Sequence, residues 1–386
     1  MILRTKIAVS ILGLALSLQG CEKKKGSSSD TEEETAASST VSAYRLIMAR
    51  PLTLALTGVG LSDSQAAIIV DAGKNKTAGA SLTDTTVLNE IEAFVEGSTG
   101  ALDELGTLPE GKTINDILEV VVGSNIGSLN EVLPYATAAE LLDAVGDVTK
   151  DTTASLDEAG FTADQLSDAL QSVSLSVTEN LDTAGIAADQ VDEVVKDLVE
   201  NMMEGASDLE GFTPAQYDDL ASAVAKGVME GAAGFEGFDP AMYDDLARSI
   251  TAGVVEGAGN IEGFDPTLFD DIASAASSGV MEGAGNTEGF DPTLFDDIAS
   301  AASAGVIEGA AAIAGVTLDL DAMATASAAG LQDGARSIEG INLDTIAAAA
   351  AAGAEAGQET ADAMTACVSA GNVYNDDGTC APPGGG

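Results

Sequence analysis

Gly263-Phe264-Asp265-Pro266-Thr267-Leu268-Phe269 opens a unit that returns every 26 residues. Its relatives begin at Gly211-Phe212-Thr213-Pro214, Gly237-Phe238-Asp239-Pro240 and Gly289-Phe290-Asp291-Pro292. A fixed period in this range marks a repeat architecture, in which each unit buries its apolar face against its neighbours.

The opening predicts a helix start. The Asp265 carboxylate can accept from orphan amides of the first turn. Pro266 falls at N1, where its missing N–H is not needed. Phe264 and Phe269 have the spacing of a hydrophobic staple, repeated as Phe212/Tyr217, Phe238/Tyr243 and Phe290/Phe295. At 100° per residue, Leu268, Phe269, Ile272, Ala273, Ala276, Gly279, Val280 and Gly283 share an arc of about 140°. Asp270, Asp271, Ser274, Ser277, Ser278 and Glu282 take the polar side. Gly279/Gly283 recurs as Gly227/Gly231, Gly253/Gly257, Gly305/Gly309, Gly330/Gly334 and Gly353/Gly357, so a neighbouring helix can approach closely. A membrane reading of this small-residue spacing is excluded by acidic residues on every turn.

The expected fold is all-α, an array of single-helix repeats packed up and down. A helix over Pro266–Gly283 is about 27 Å long. The eight-residue connector Ala284–Asp291 reaches at most about 26–29 Å. That leaves nothing for turns if the next helix is to start from the same end. The alternative is an α/β solenoid, reached if the helix stops at Gly279 and the chain returns as a strand.

In chain order, residues 1–20 carry Arg4, Lys6 and the apolar run Ile7–Leu18, too short to span a bilayer. They read as a secretory signal peptide. The run ends Leu18-Gln19-Gly20-Cys21, which resembles the lipobox of bacterial lipoproteins. The resemblance implies acylation of Cys21, with Glu22 after it favouring the outer membrane by analogy with sorting in enteric bacteria. Residues 21–40, rich in Ser, Thr, Glu and Lys, are expected to be a disordered tether.

Residues 41–110 read as an N-terminal cap, broken by Pro51, Gly58 and Gly60, followed by degenerate repeats. Ser62/Gln65 has capping-box spacing, and Thr83 or Asp84 could open the next helix. The array itself is placed at 111–365. Its helix caps step through Thr113, Thr137, Thr162, Ala187, Thr213, Asp239, Asp265, Asp291, Thr317 and Asn342. That makes ten helices, with two more expected before them. Residues 366–386 read as a disulfide loop between Cys367 and Cys380, around the turn former Asn375-Asp376-Asp377-Gly378, then a frayed tail.

The chain has 15 basic and 63 acidic side chains. Without Arg4 and Lys6 the balance is 13 to 63, a net charge of −50. Such a surface repels nucleic acid and anionic membranes and can collect cations. With no histidine, no Ser-His-Asp or Cys-His set can form. Gly106-Thr-Leu-Pro-Glu-Gly111-Lys112-Thr113 fits the phosphate-loop pattern, but no apolar strand precedes it and Thr113 is already a cap. The adjacent acids Asp244 and Asp245, Asp270 and Asp271, and Asp296 and Asp297, like Asp218 and Asp219, are weak metal candidates at best. Adjacent helical residues point about 100° apart, and carboxylates in a first turn favour the helix dipole.

These readings describe a non-enzymatic, lipid-anchored envelope protein that serves as a structural or protein-binding scaffold and needs no cofactor. The alternative is a Ca²⁺-dependent adhesion or cation-binding surface protein. A midpoint raised by millimolar Ca²⁺ beyond the effect of ionic strength would favour that alternative.

Overall fold

The computed structural model describes residues 46–79, 87–209, 212–213, 216–313, 316, 318–370, 372–374 and 379–381. The expected leader, Cys21 and tether lie outside the described residues. So do Thr83, Asp84, Gly211, Pro214, Gly315, Thr317, the 375–378 turn and the 382–386 tail. Apart from the single turns Leu129–Val132 and Leu181–Ala184, the helices are α1 (46–58), α2 (Asp63–Gly79), α3 (Val87–Gly100), α4 (Ile114–Gly127), α5 (Ala138–Ala154), α6 (Leu166–Glu179) and α7 (Val191–Ser207). They continue as α8 (Tyr217–Ala232), α9 (Tyr243–Asn260), α10 (Phe269–Asn286), α11 (Phe295–Ala312), α12 (Leu320–Ala335) and α13 (Leu343–Ser369). Among the described residues the strands are only β1 (Val373–Tyr374) and β2 (Cys380–Ala381), an antiparallel pair. The fold is all-α, and the α/β alternative is overturned because helix continues through Gly279 and Gly283 to Asn286.

Local chemistry sets the helix starts. Thr113/Asp116 and Thr137/Glu140 close reciprocal capping boxes. Ser62 and Gln65 do the same, with 3.1 and 3.3 Å bonds between each backbone amide and the other's side chain. Asp239, Asp265 and Asp291 each accept from the amide two residues on, ahead of a proline. What they cap first is a single 3₁₀ turn, Pro266–Leu268 in the third repeat, and the α-helix begins at Phe269. Helix α10 therefore runs three residues later than Pro266–Gly283 at both ends. Ala187 has no side-chain acceptor, so only half a box forms there, the Gln190 side chain accepting from the Ala187 amide at 3.4 Å. Helix α12 is capped by Asp319, two residues after the expected Thr317.

Among the described residues three helices precede residue 113 instead of two, because α1 runs through Pro51. Burial of Met48, Ala49, Leu52 and Leu56 offsets the missing amide.

Successive helices are antiparallel. Tyr217 at the start of α8 meets Phe264 just beyond the end of α9, at a ring-centroid distance of 5.4 Å. Tyr243 at the start of α9 meets Phe290 beyond the end of α10 at 4.9 Å. From α5 onward, however, each helix makes its largest contact with a preceding helix on the one two before it. They form an even row (α4, α6, α8, α10, α12) and an odd row (α3, α5, α7, α9, α11, α13). Within a row the helices are parallel, since Gly279 lies over Ser222 and Gly283 over Lys226, advancing together.

The glycines make this packing possible. A Cβ on Gly279 would lie 2.2 Å from the Ser222 carbonyl oxygen, and one on Gly305 2.2 Å from that of Arg248. Helices that touch on two sides need a wider buried face than one stripe. Ser277, Met281 and Ala284 are thus buried along with the expected arc. The expectation that Ser277 faces solvent is corrected: its hydroxyl bonds that of Ser327 at 2.8 Å, which itself lies 3.1 Å from Ser303 in the opposite row.

Candidate functional site

Most of the glycine pairs place the residue before their second glycine against the neighbouring helix of the row. In four of the pairs that residue is Glu230, Glu256, Glu282 or Glu308, and Glu204 stands in the same way before the single Gly205. Glu204 pairs with Lys150 at 2.7 Å, Glu256 with Lys196 at 2.9 Å, Glu282 with Lys226 at 3.7 Å and Glu308 with Arg248 at 3.3 Å. Glu230 accepts from the Gln171 amide at 3.0 Å. Lys76 and Glu96 join α2 to α3 in the same manner. Partly exposed pairs of this kind are each worth at most about 1 kcal/mol, so they fix register more than stability. On the sequence alone these acids read as a solvated face. The missed signal was the rare cation standing 54 to 60 residues before the glutamate.

The pairs leave acid in excess. Burial, then the charge of Glu256, pushes the Glu200 carboxyl up to about 7, against the opposing pull of Lys196. Burial, then Glu96 and Asp147, pushes Asp151 up to about 6. These carboxyls hold their protons more tightly folded than unfolded, so stability falls as pH rises from roughly 4.5 through 7. The capping acids Asp116, Glu140, Asp265 and Asp291 are held low by hydrogen bonds from the backbone they cap. Their contribution is lost on acidification through their lowered range. Stability should therefore peak at mildly acidic pH. Glu200→Gln should flatten the fall between pH 5 and 8 and stabilise the protein at pH 8 by about 1–2 kcal/mol, allowing for solvent screening. Urea melts across that range decide it, and an unchanged slope in the variant would count against the assignment.

The weak metal candidates of the sequence are Asp244, Asp245, Asp270, Asp271, Asp296 and Asp297. Each pair stands in the first turn of its own helix, α9, α10 or α11. Adjacent carboxylates there diverge around the helix axis, so they cannot close on one ion. Asp296 and Asp297 are both exposed at the start of α11. Among the described residues no three His, Cys, Asp or Glu side chains gather as a metal-binding group. Burial, then the nearby Asp319 and Asp271, raises Asp270, while Asp245 is raised by burial, then Asp244 and Asp192. Cys367 and Cys380 are disulfide-bonded, tying the β1–β2 hairpin to the end of α13. The phosphate-loop look-alike follows a 3₁₀ turn, Ala101–Leu105, instead of a strand. Its Thr113 hydroxyl is engaged by Asp116 at 2.8 Å, and its Lys112 faces Asp116 at 3.6 Å.

The aromatic staples form ladders that extend beyond one repeat. Phe212, Tyr217, Phe264 and Phe269 follow one another at 4.9, 5.4 and 5.1 Å. Phe238, Tyr243, Phe290 and Phe295 do so at 5.0, 4.9 and 5.0 Å. Beside the second ladder, where the ends of α8 and α10 meet the start of α9, lies a cavity of about 230 Å³. Phe235, Phe238, Tyr243 and Phe290 wall it, with Glu288 and Asp291 among the lining residues.

No family model and no curated protein matches the chain.

Proposed function

We propose that the protein is an exported lipoprotein whose helical array serves as a protein-binding scaffold at the cell envelope, anchored through Cys21. The scaffold reading is carried by the two parallel rows, which present the same side-chain positions again and again along fixed glycine-to-carbonyl contacts. Repeat arrays of this kind bind partners over extended surfaces. The anchor reading rests on Arg4 and Lys6, the apolar run Ile7–Leu18 and Leu18-Gln19-Gly20-Cys21. Among the described residues no helix is long and apolar enough to cross a membrane. The acidic surface favours basic partner segments over nucleic acid.

Cys21→Ser should move the protein from the membrane fraction to the soluble fraction of lysed cells, and abolish labelling by a radioactive fatty acid. Persistent membrane association and labelling in the variant would overturn the anchor. For the scaffold, crosslinking in intact cells should join the protein to discrete protein partners.

A further inference from the structure

Two connectors, those after α11 and α12, carry a side chain that packs back on the helix two before. Ile313 rests on Gly259 so closely that a Cβ there would lie 2.7 Å from its Cδ1. Ile338 rests on Gly285 in the same way, at 2.6 Å. The helices that lie between in sequence open with Phe269 and Phe295 respectively. The repeat thus has a three-residue rule at these places: glycine, phenylalanine, isoleucine.

One copy breaks the rule at all three positions. Ala233, Tyr243 and Thr287 stand where the next two copies have Gly, Phe and Ile. All three line the 230 Å³ cavity. Thr287 is shorter than isoleucine, and its hydroxyl is turned to its own helix, donating to the Gly283 carbonyl at 3.0 Å. The aliphatic side chain that rests on the glycine in the following copies is therefore missing here. The site keeps its apolar walls, Phe235, Phe238, Pro240 and Phe290. Glu288 and Asp291 are its charged lining residues, and among the described residues no basic side chain lines it.

We propose that this cavity receives an isoleucine or leucine side chain from a partner protein segment that carries lysine or arginine beside it. The proposal rests on the scaffold reading and locates its anchor point. The shape argument comes from the chain itself, because Ile313 and Ile338 show what the equivalent sites hold. The flanking charge follows from the two lining carboxylates and the net charge of −48. An aliphatic anchor in an apolar pocket supplies affinity, and complementary charge steers the encounter.

The test titrates the peptide Gly-Lys-Gly-Ile-Gly-Lys-Gly into the full chain at low salt, followed by ligand-detected NMR, which reads weak binding. The isoleucine peptide should bind at least tenfold more tightly than its alanine counterpart, and than a version with both lysines replaced by glutamate. The triple variant Ala233→Gly, Tyr243→Phe, Thr287→Ile copies the next repeat, so it should fold and should weaken binding at least tenfold. Should its melting point fall, Ala233→Leu at an exposed position blocks the mouth instead. The proposal is overturned if no peptide binds, if the alanine peptide binds equally, or if neither blocked variant weakens binding. Displacement of the isoleucine peptide by tetramethylammonium ion would overturn it too, in favour of an organic-cation site. Failure of the scaffold reading looks different. It falls if intact-cell crosslinking yields no protein partner, whereas partners crosslinked equally by wild type and triple variant remove only the pocket.

Discussion

Gly353→Ala should destabilise the protein by at least about 2 kcal/mol, although alanine is the better helix former by about 1 kcal/mol. A Cβ at this position would sit 1.8 Å from the carbonyl oxygen of Ser300 and 2.5 Å from its carbon, so α13 would have to lift off α11. Both clashing groups are backbone, and neither can rotate away. Overpacking of a close contact costs about 1–3 kcal/mol, and here the change adds to lost contact along the row. Gly353→Val should cost more than about 3 kcal/mol for the same reason. The control is Gly58→Ala in α1, where a Cβ would meet nothing within 4 Å and the change should be neutral or stabilising. Chemical denaturation supplies the numbers, and hydrogen exchange should show the loss of protection centred on α11 and α13. A neutral or stabilising Gly353→Ala would mean that the row contact is far looser than described.

Phe269→Ala should cost about 3–5 kcal/mol, the range for deleting a buried aromatic ring. The ring is only 2% exposed and closes the ladder that runs from Phe212 through Tyr217 and Phe264. Its removal leaves a cavity where the start of α10 packs on Phe264, and that contact in turn supports Tyr217 of α8. Because stability in an array is close to a nearest-neighbour sum, fraying should begin at α8 and α10 and leave α2 to α4 protected. Proton exchange measured helix by helix distinguishes the outcomes. A uniform loss across all helices would require one cooperative core instead of a chain of neighbours.

Much of this was legible because its causes lie within one helix length. A carboxylate or hydroxyl followed by Pro, Glu, Gln or Asp at fixed offsets specifies a helix start wherever it stands. Asp265, Thr113 and Thr137 do so here. The Phe264/Phe269 staple is set by the same few residues. Up-and-down order followed from connector length. The glycine pairs announced close approach, since only a missing Cβ explains two of them on one face of a helix.

What the sequence could not say is which helix those glycines meet. Successive repeats are so alike that the helix before and the helix two before offer the same residues, and no local pattern separates them. Only the assembled rows put Gly279 on Ser222, Glu256 on Lys196 and Tyr243 on Phe290. The same choice buries Ser277, which looks solvent-facing on an isolated helix, because a helix held on two sides has little polar face left. It also turns the change from Ile to Thr at position 287 into a cavity, since a shorter side chain leaves space only where a particular neighbour fails to fill it. Local hydrogen bonding and chain length determined the elements and their alternation. Tertiary packing decided their partners, because partner choice depends on contacts between segments about two repeats apart in the chain.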